Sequence, residues 1–243
     1  RDTADKYGKS CIAAQVCYLG KTHFTEEGIR MNRLVAFRTS IVAAAALMLS
    51  ACGINSVPAA EETEQIINEE GGECTVDRVD VARADHVQAM VERCMESYGR
   101  IDILHNNVGI LEVGGPVDAS QESWERVVAV NLTSMFLTCK YVLPHMEQQG
   151  SGAVVNISSI SATHDLGTTY VSYSATNAAI LQLTQSVAVQ YAKKNIRANS
   201  ILPGFLNTPM VVESLTAAYG GDTQKMIEQR DALCPMGKMG DAW

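Results

Sequence analysis

The side chains in this chain best suited to chemistry stand in four short runs. They are Asn106-Asn107-Val108-Gly109, Asn156-Ile157-Ser158-Ser159, Tyr173-Ser174-Ala175-Thr176-Asn177 and Pro203-Gly204-Phe205-Leu206-Asn207-Thr208-Pro209. Tyrosine and serine hydroxyls can carry or donate a proton, and an asparagine amide both donates and accepts hydrogen bonds. Tyr173 and Asn177 lie four residues apart, so a helix brings them onto one face. Other chemistries find no support. The seven cysteines, Cys11, Cys17, Cys52, Cys74, Cys94, Cys139 and Cys234, form no Cys-x-x-Cys pair and no Cys/His cluster, so no metal site is expected. Gly8-Lys9-Ser10 echoes the end of a phosphate loop but lacks the glycine that such a loop carries five residues earlier.

Together the four runs resemble the short-chain dehydrogenase/reductase family of the classical type, whose members carry Tyr-x-x-x-Lys where this chain has Tyr-x-x-x-Asn. The resemblance implies hydride transfer between NAD or NADP and a secondary alcohol or ketone. Tyr173 would exchange a proton with the substrate oxygen. Ser159 would polarise that oxygen, and Asn131, in Val130-Asn131-Leu132, would organise a proton-relay water. Tyr173 follows Ser159 by one residue more than the family's usual spacing, a difference that the intervening loop can absorb. Asn177 stands at the place of the family lysine, whose ammonium hydrogen-bonds the nicotinamide ribose and lowers the tyrosine pKa. An amide can keep the hydrogen bond but not the charge.

The same resemblance assigns cofactor contacts. Asp80 and Val81 would lie at the adenine, Asn107, Val108 and Gly109 along the adenosine side, and Pro203, Gly204, Leu206 and Thr208 at the nicotinamide carboxamide. The family's Thr-Gly-x-x-x-Gly-x-Gly loop is replaced by Arg38-Thr39-Ser40-Ile41-Val42-Ala43, whose side chains would hold the backbone away from a pyrophosphate. No acid or arginine at the end of 54–57 selects NAD over NADP. A loop over 209–232 would cap the substrate, with Met210, Val211, Leu215, Tyr219 and Met226 as an apolar wall and His164 near the entrance. The expected activity is therefore impaired. The alternative is a non-catalytic family member that binds or pairs with another subunit.

These residues need a frame of strands and helices to hold them. Strands are expected over 34–37, 54–57, 74–81, 101–105, 153–157 and 196–202. A hydroxyl of Thr39 or Ser40 can cap a helix through 43–50, Pro58 can open another closed by Gly71-Gly72, and Val87, Met90, Val91, Cys94 and Met95 repeat on one face of a helix over 83–98. Long helices are expected from after Ser123 to about 148 and over 172–193. Alternation of this kind implies an α/β fold, a doubly wound, mostly parallel sheet with helices on both faces, Rossmann-like by the resemblance. Residues 1–33 read as an atypical leading segment and 34–243 as the dinucleotide-binding and catalytic domain. By the same resemblance, 235–241 precedes one more helix and a last strand, which the chain would lack. The two long helices resemble the family's subunit contacts and imply a homo-oligomer, a dimer or tetramer.

Composition narrows the setting. A net charge of −8, with lysine and arginine scattered, excludes general nucleic-acid binding, and 47% hydrophobic residues exclude a disordered chain. Scattered cysteines fit a reducing, cytoplasmic protein with no membrane partner. A second reading stays open: Met31-Asn32-Arg33, Arg38, the apolar run over 41–49 and Leu49-Ser50-Ala51-Cys52 look like a lipoprotein signal with Cys52 as the lipid acceptor. The same run suits a buried helix.

Overall fold

Strands that pair in parallel need long crossovers, and here helices supply them. A computed structural model describes residues 57–69 and 71–241. The expected segment 1–33, the strands at 34–37 and 54–56, the helix through 43–50, the 38–43 phosphate site and Cys52 lie outside the described residues. Helix α1 (Val57–Glu69) and helix α2 (Ala84–Tyr98) come first, followed by strand β1 (Ile103–Asn106). Helix α3 (Gln121–Val127) runs through a π-helical turn (Val128–Thr133) into α4 (Ser134–Gln149), which leads to β2 (Gly152–Ile157). Helix α5 (Val171–Tyr191), β3 (Ile196–Ile201), α6 (Pro209–Leu215) and α7 (Thr223–Leu233) complete the order. The strands lie β1-β2-β3, all parallel, with Leu104 opposite Val154 and Val154 opposite Ala198. This is the Rossmann-like parallel sheet that the alternation of elements implies.

Local chemistry explains the boundaries. The buried side chains of α2 are Val87, Met90, Val91 and Cys94, the expected stripe, and Gly99 ends the helix at a φ of 73° while its N–H bonds to the Met95 carbonyl. Ser120 caps α3 by accepting from the Ser123 N–H at 3.1 Å, so the helix starts earlier than its apolar pattern suggests. The first core gathers Val87, Leu104, Val142, Met146, Val154 and Ile196 between sheet and helices. Met146 fixes the start of β2: a Cβ on Gly152 would stand 2.4 Å from its sulfur, so only glycine lets the strand approach the helix there.

A hydrogen-bonded chain of buried polar groups crosses the sheet. Thr138 of α4 donates to Asn106 of β1, Asn106 to Asn156 of β2, and Asn156 to Thr184 of α5, each at 2.8 Å. Ser200 of β3 also donates to Thr184 at 2.8 Å. Buried polar groups are tolerated because each finds its partner.

Three expectations are corrected. Residues 74–81 form no strand among the described residues, because a strand exists through its ladder, and the neighbours expected for it fall outside them. Val79 and Val81 are still buried. Val57 begins α1 rather than ending a strand, with Pro58 in the first turn, where its missing N–H is no loss. The expected capping loop over 209–232 is two helices, α6 and α7, the second capped by Asp222 accepting from the Lys225 N–H at 3.0 Å.

Candidate active site

A cavity of about 130 Å³ opens beyond the carboxyl ends of the three strands, the place where open α/β sheets hold ligands. Loops leaving β1, β2 and β3 bring Asn107, Val108 and Gly109, then Ser158 and Ser159, then Pro203, Gly204, Leu206 and Thr208 to its wall. Asn131 reaches it from the π-helical turn, Tyr173 and Asn177 from α5, and Met210 from α6. Four distant runs of sequence thus share one cavity.

Two ties hold the ends of the strands together. Ile160 donates its N–H to the Pro203 carbonyl at 3.1 Å, and Ser158 its N–H to the Ile201 carbonyl at 2.8 Å. The Ser158 hydroxyl also donates to the Asn177 carbonyl at 2.9 Å, fastening the end of β2 to the turn of α5 that carries Tyr173 and Asn177. Ser159 accepts from the Ser161 N–H at 3.2 Å. That bond engages a lone pair and leaves the hydroxyl hydrogen able to donate into the cavity.

Asn131 is 3% exposed and its amide clasps the backbone of Ile110, accepting from the N–H at 2.8 Å and donating to the carbonyl at 2.9 Å. The clasp fixes the loop that carries Val108 and Gly109. The π-helical turn offsets Asn131 from the regular helical ladder, a device common at functional positions.

Asn177 is 3% exposed, and its amide nitrogen donates to the Tyr173 carbonyl at 2.9 Å. The expected ribose donor is therefore engaged, at least through one hydrogen, within its own helix. Thr176 donates to the same carbonyl at 3.0 Å. Among the described residues no positive charge lines the cavity; Val108, Met135, Ile157, Ile180, Leu206 and Met210 give it an apolar surface.

Six expected residues stand away from this wall. The Asp80 carboxylate accepts from the Ala82 N–H at 3.0 Å, and Val81 is buried in the first core. His164 is exposed, its ring 2.8 Å from the Thr163 hydroxyl. Tyr219 packs into the second core, its hydroxyl 3.4 Å from that of Thr168. Leu215 and Met226 are also in that core, 1% and 0% exposed, because these two side chains turn onto Tyr170, while Met210 and Val211 of α6 face the cavity. Sequence reasoning missed Met135, Ile157 and Ile180 in the lining. Helical spacing could have found two of them: Met135 follows Asn131 by one turn, and Ile180 follows Asn177 by three residues.

Comparison with known proteins gives the family and the fold. The family model for short chain dehydrogenase matches residues 38–218. The chain is 39% identical over 168 residues to the 2-(R)-hydroxypropyl-CoM dehydrogenase of Xanthobacter autotrophicus, covering 68% of this chain and 64% of that one. Among solved structures, one from Burkholderia xenovorans, provisionally assigned as a short-chain dehydrogenase/reductase, is 42% identical with a TM-score of 0.72, covering 77% of this chain and 71% of that one. An NAD+-bound xylitol dehydrogenase is 26% identical with a TM-score of 0.73, covering 84% and 83% of the two chains.

Proposed function

The chain belongs to the short-chain dehydrogenase family, and from that premise we propose that it moves a hydride between NAD or NADP and an apolar secondary alcohol or ketone held in the cavity. The family is one of oxidoreductases acting on hydroxyl groups, and relatives named as dehydrogenases extend over most of this chain. The observation that carries the reading is the shared cavity of Tyr173, Ser159 and Asn131, beside Gly204 and Thr208.

The described residues fit the nicotinamide end of such a cofactor. A Cβ on Gly204 would meet only the tip of Ile160, at 3.6 Å, so the open backbone there can lie against a flat ring. Pro203, Gly204, Leu206 and Thr208 would hold that end, with Asn107, Val108 and Gly109 on the adenosine side, and the bound nicotinamide would supply the hydride acceptor or donor. Asp80 and Val81 are proposed for the adenine by resemblance alone. This chain's own groups do the rest. Tyr173 holds the proton exchanged with the substrate oxygen, and Ser159 donates a hydrogen bond to the same oxygen as charge develops on it. The apolar lining excludes water and selects a substrate with little charge.

Asn177 limits the rate. Nothing at the lysine position stabilises the tyrosinate, so proton transfer through Tyr173 is slower than in a lysine-bearing relative. The same observation favours a second reading, a family member that binds but does not turn over. Turnover of a panel of secondary alcohols with NAD+ and NADP+ at high concentration separates the two. Slow turnover abolished by Tyr173→Phe is expected. Binding without turnover at any pH would leave the second reading standing.

A further inference from the structure

Arg230, in the last turn of α7, is 4% exposed, and its Nε and Nη1 find no hydrogen-bond partner among the described residues. Its guanidinium lies over the Phe205 ring, with its central carbon 4.6 Å from the ring centre, and its positive charge acts on the Tyr170 hydroxyl. Packing alone does not account for such a group. A leucine or methionine would fill the space without leaving buried donors unmatched. What a guanidinium offers is a rigid plane that stacks through its face while donating from its edge.

Both partners of Arg230 adjoin the cavity. Phe205 sits between Gly204 and Leu206, two lining residues. Tyr170 stands edge-on to the Tyr173 ring, with centres 5.7 Å apart and planes at 88°. Tyr170 is 5% exposed and seated on Leu215 and Met226 of the two cap elements. Its flanking backbone pairs with Gly114, through the Gly114 N–H to the Thr169 carbonyl at 2.8 Å and the Val171 N–H to the Gly114 carbonyl at 3.0 Å. One side chain from α7 therefore packs against the segment that would hold the nicotinamide and places its charge near the aromatic residue braced against Tyr173.

We propose that Arg230 is a positioning residue: by packing against Phe205 with its charge beside Tyr170, it sets the orientation of the Tyr173 ring and couples the seating of α7 to proton transfer. The functional half of this inference rests on the reading of Tyr173 as the proton-transfer group.

Fluorotyrosine placed at position 173 of the full chain, read by fluorine NMR across a pH titration, tests it. Arg230→Met is expected to shift or split the Tyr173 resonance by tenths of a ppm and to move its titration midpoint. Tyr170→Phe, which keeps the edge contact and removes the hydroxyl, is expected to do the same to a smaller degree. Arg93→Met, which breaks only the surface pair with Asp77, should change neither. If Arg230→Met fails to fold, Tyr170→Phe decides. A Tyr173 signal and titration in the folded Arg230→Met or Tyr170→Phe variant matching those of Arg93→Met would overturn the proposal. In the turnover assay Arg230→Met should lower kcat by about tenfold, with KM within about twofold. Turnover that survives Tyr173→Phe would refute the catalytic reading, while the fluorine signal would still decide the positioning.

Discussion

At the scale of single residues, the proposed reading turns on Asn177 and the 38–43 run. A lysine at 177 would place an ammonium one turn from Tyr173, and a lowering of its pKa by about two corresponds to about 2.7 kcal/mol, or roughly a hundredfold in rate where proton transfer limits turnover. Asn177→Lys is therefore expected to raise alcohol oxidation by up to about that factor at saturating cofactor, followed by nicotinamide absorbance; an unchanged rate would make Asn177 a working replacement. Saturation will be hard to reach. Without glycines at 38–43, NAD(H) and NADP(H) are both expected to bind more weakly than about millimolar, some 4 kcal/mol short of a micromolar site. Titration calorimetry measures this, and micromolar binding of either would show that the glycine loop is dispensable here.

At the scale of elements, the site depends on strands held in register by the buried chain Thr138–Asn106–Asn156–Thr184–Ser200. Removing its central member leaves the Asn106 amide donor without its acceptor in the core and takes one of two donors from Thr184. Asn156→Ala is expected to lower stability by about 1–3 kcal/mol in urea unfolding, whereas Gln88→Ala, on the exposed face of α2, should be nearly neutral. His105, on β1, is held below its ordinary pKa by burial. Its neutral form is favoured in the folded state, so its contribution to stability is present above about pH 6.5 and falls away under more acidic conditions. A His105→Gln variant should show a flatter decline in stability between about pH 6.5 and 5 than the parent chain.

At the scale of the whole molecule, burial predicts alkaline sensitivity. It pushes the Cys94 thiol up to about 11 and the Cys139 thiol and Tyr170 hydroxyl up to about 12. All three hold their protons more tightly when folded, so their contribution is complete below about pH 8.5 and is lost as pH rises from there towards 12. Thermal melts should fall steadily across that window, and Cys139→Ser should make the fall shallower. The long helix Gln121–Gln149 is long and apolar enough to cross a membrane, yet over half of its most apolar stretch is buried against the core. Its exposed Phe136, together with Val189 on α5, suits a subunit contact instead. Light scattering is expected to report a dimer or tetramer for the parent chain and a smaller species for Phe136→Glu.

The sequence by itself determined the family, the parallel α/β order and most residues that share the cavity. These are legible because β-strand ends and the first turns of helices carry short-range signatures: Ser159 just past β2, Tyr173 and Asn177 one turn apart, Pro203-Gly204 just past β3. Periodicity also located α2 and its buried stripe. Tertiary structure alone decided which face of each cap helix turns inward. Leu215, Tyr219 and Met226 read as a wall for substrate because apolar side chains at 209–232 look alike in sequence, whether they face a cavity or one another. Packing resolved them into a second core around Tyr170. The same holds for Arg230 and Phe205, 25 positions apart in the chain. Nothing in local spacing announces their contact, because it is made by the way α7 folds back onto the segment after β3, and chain distance carries no record of it.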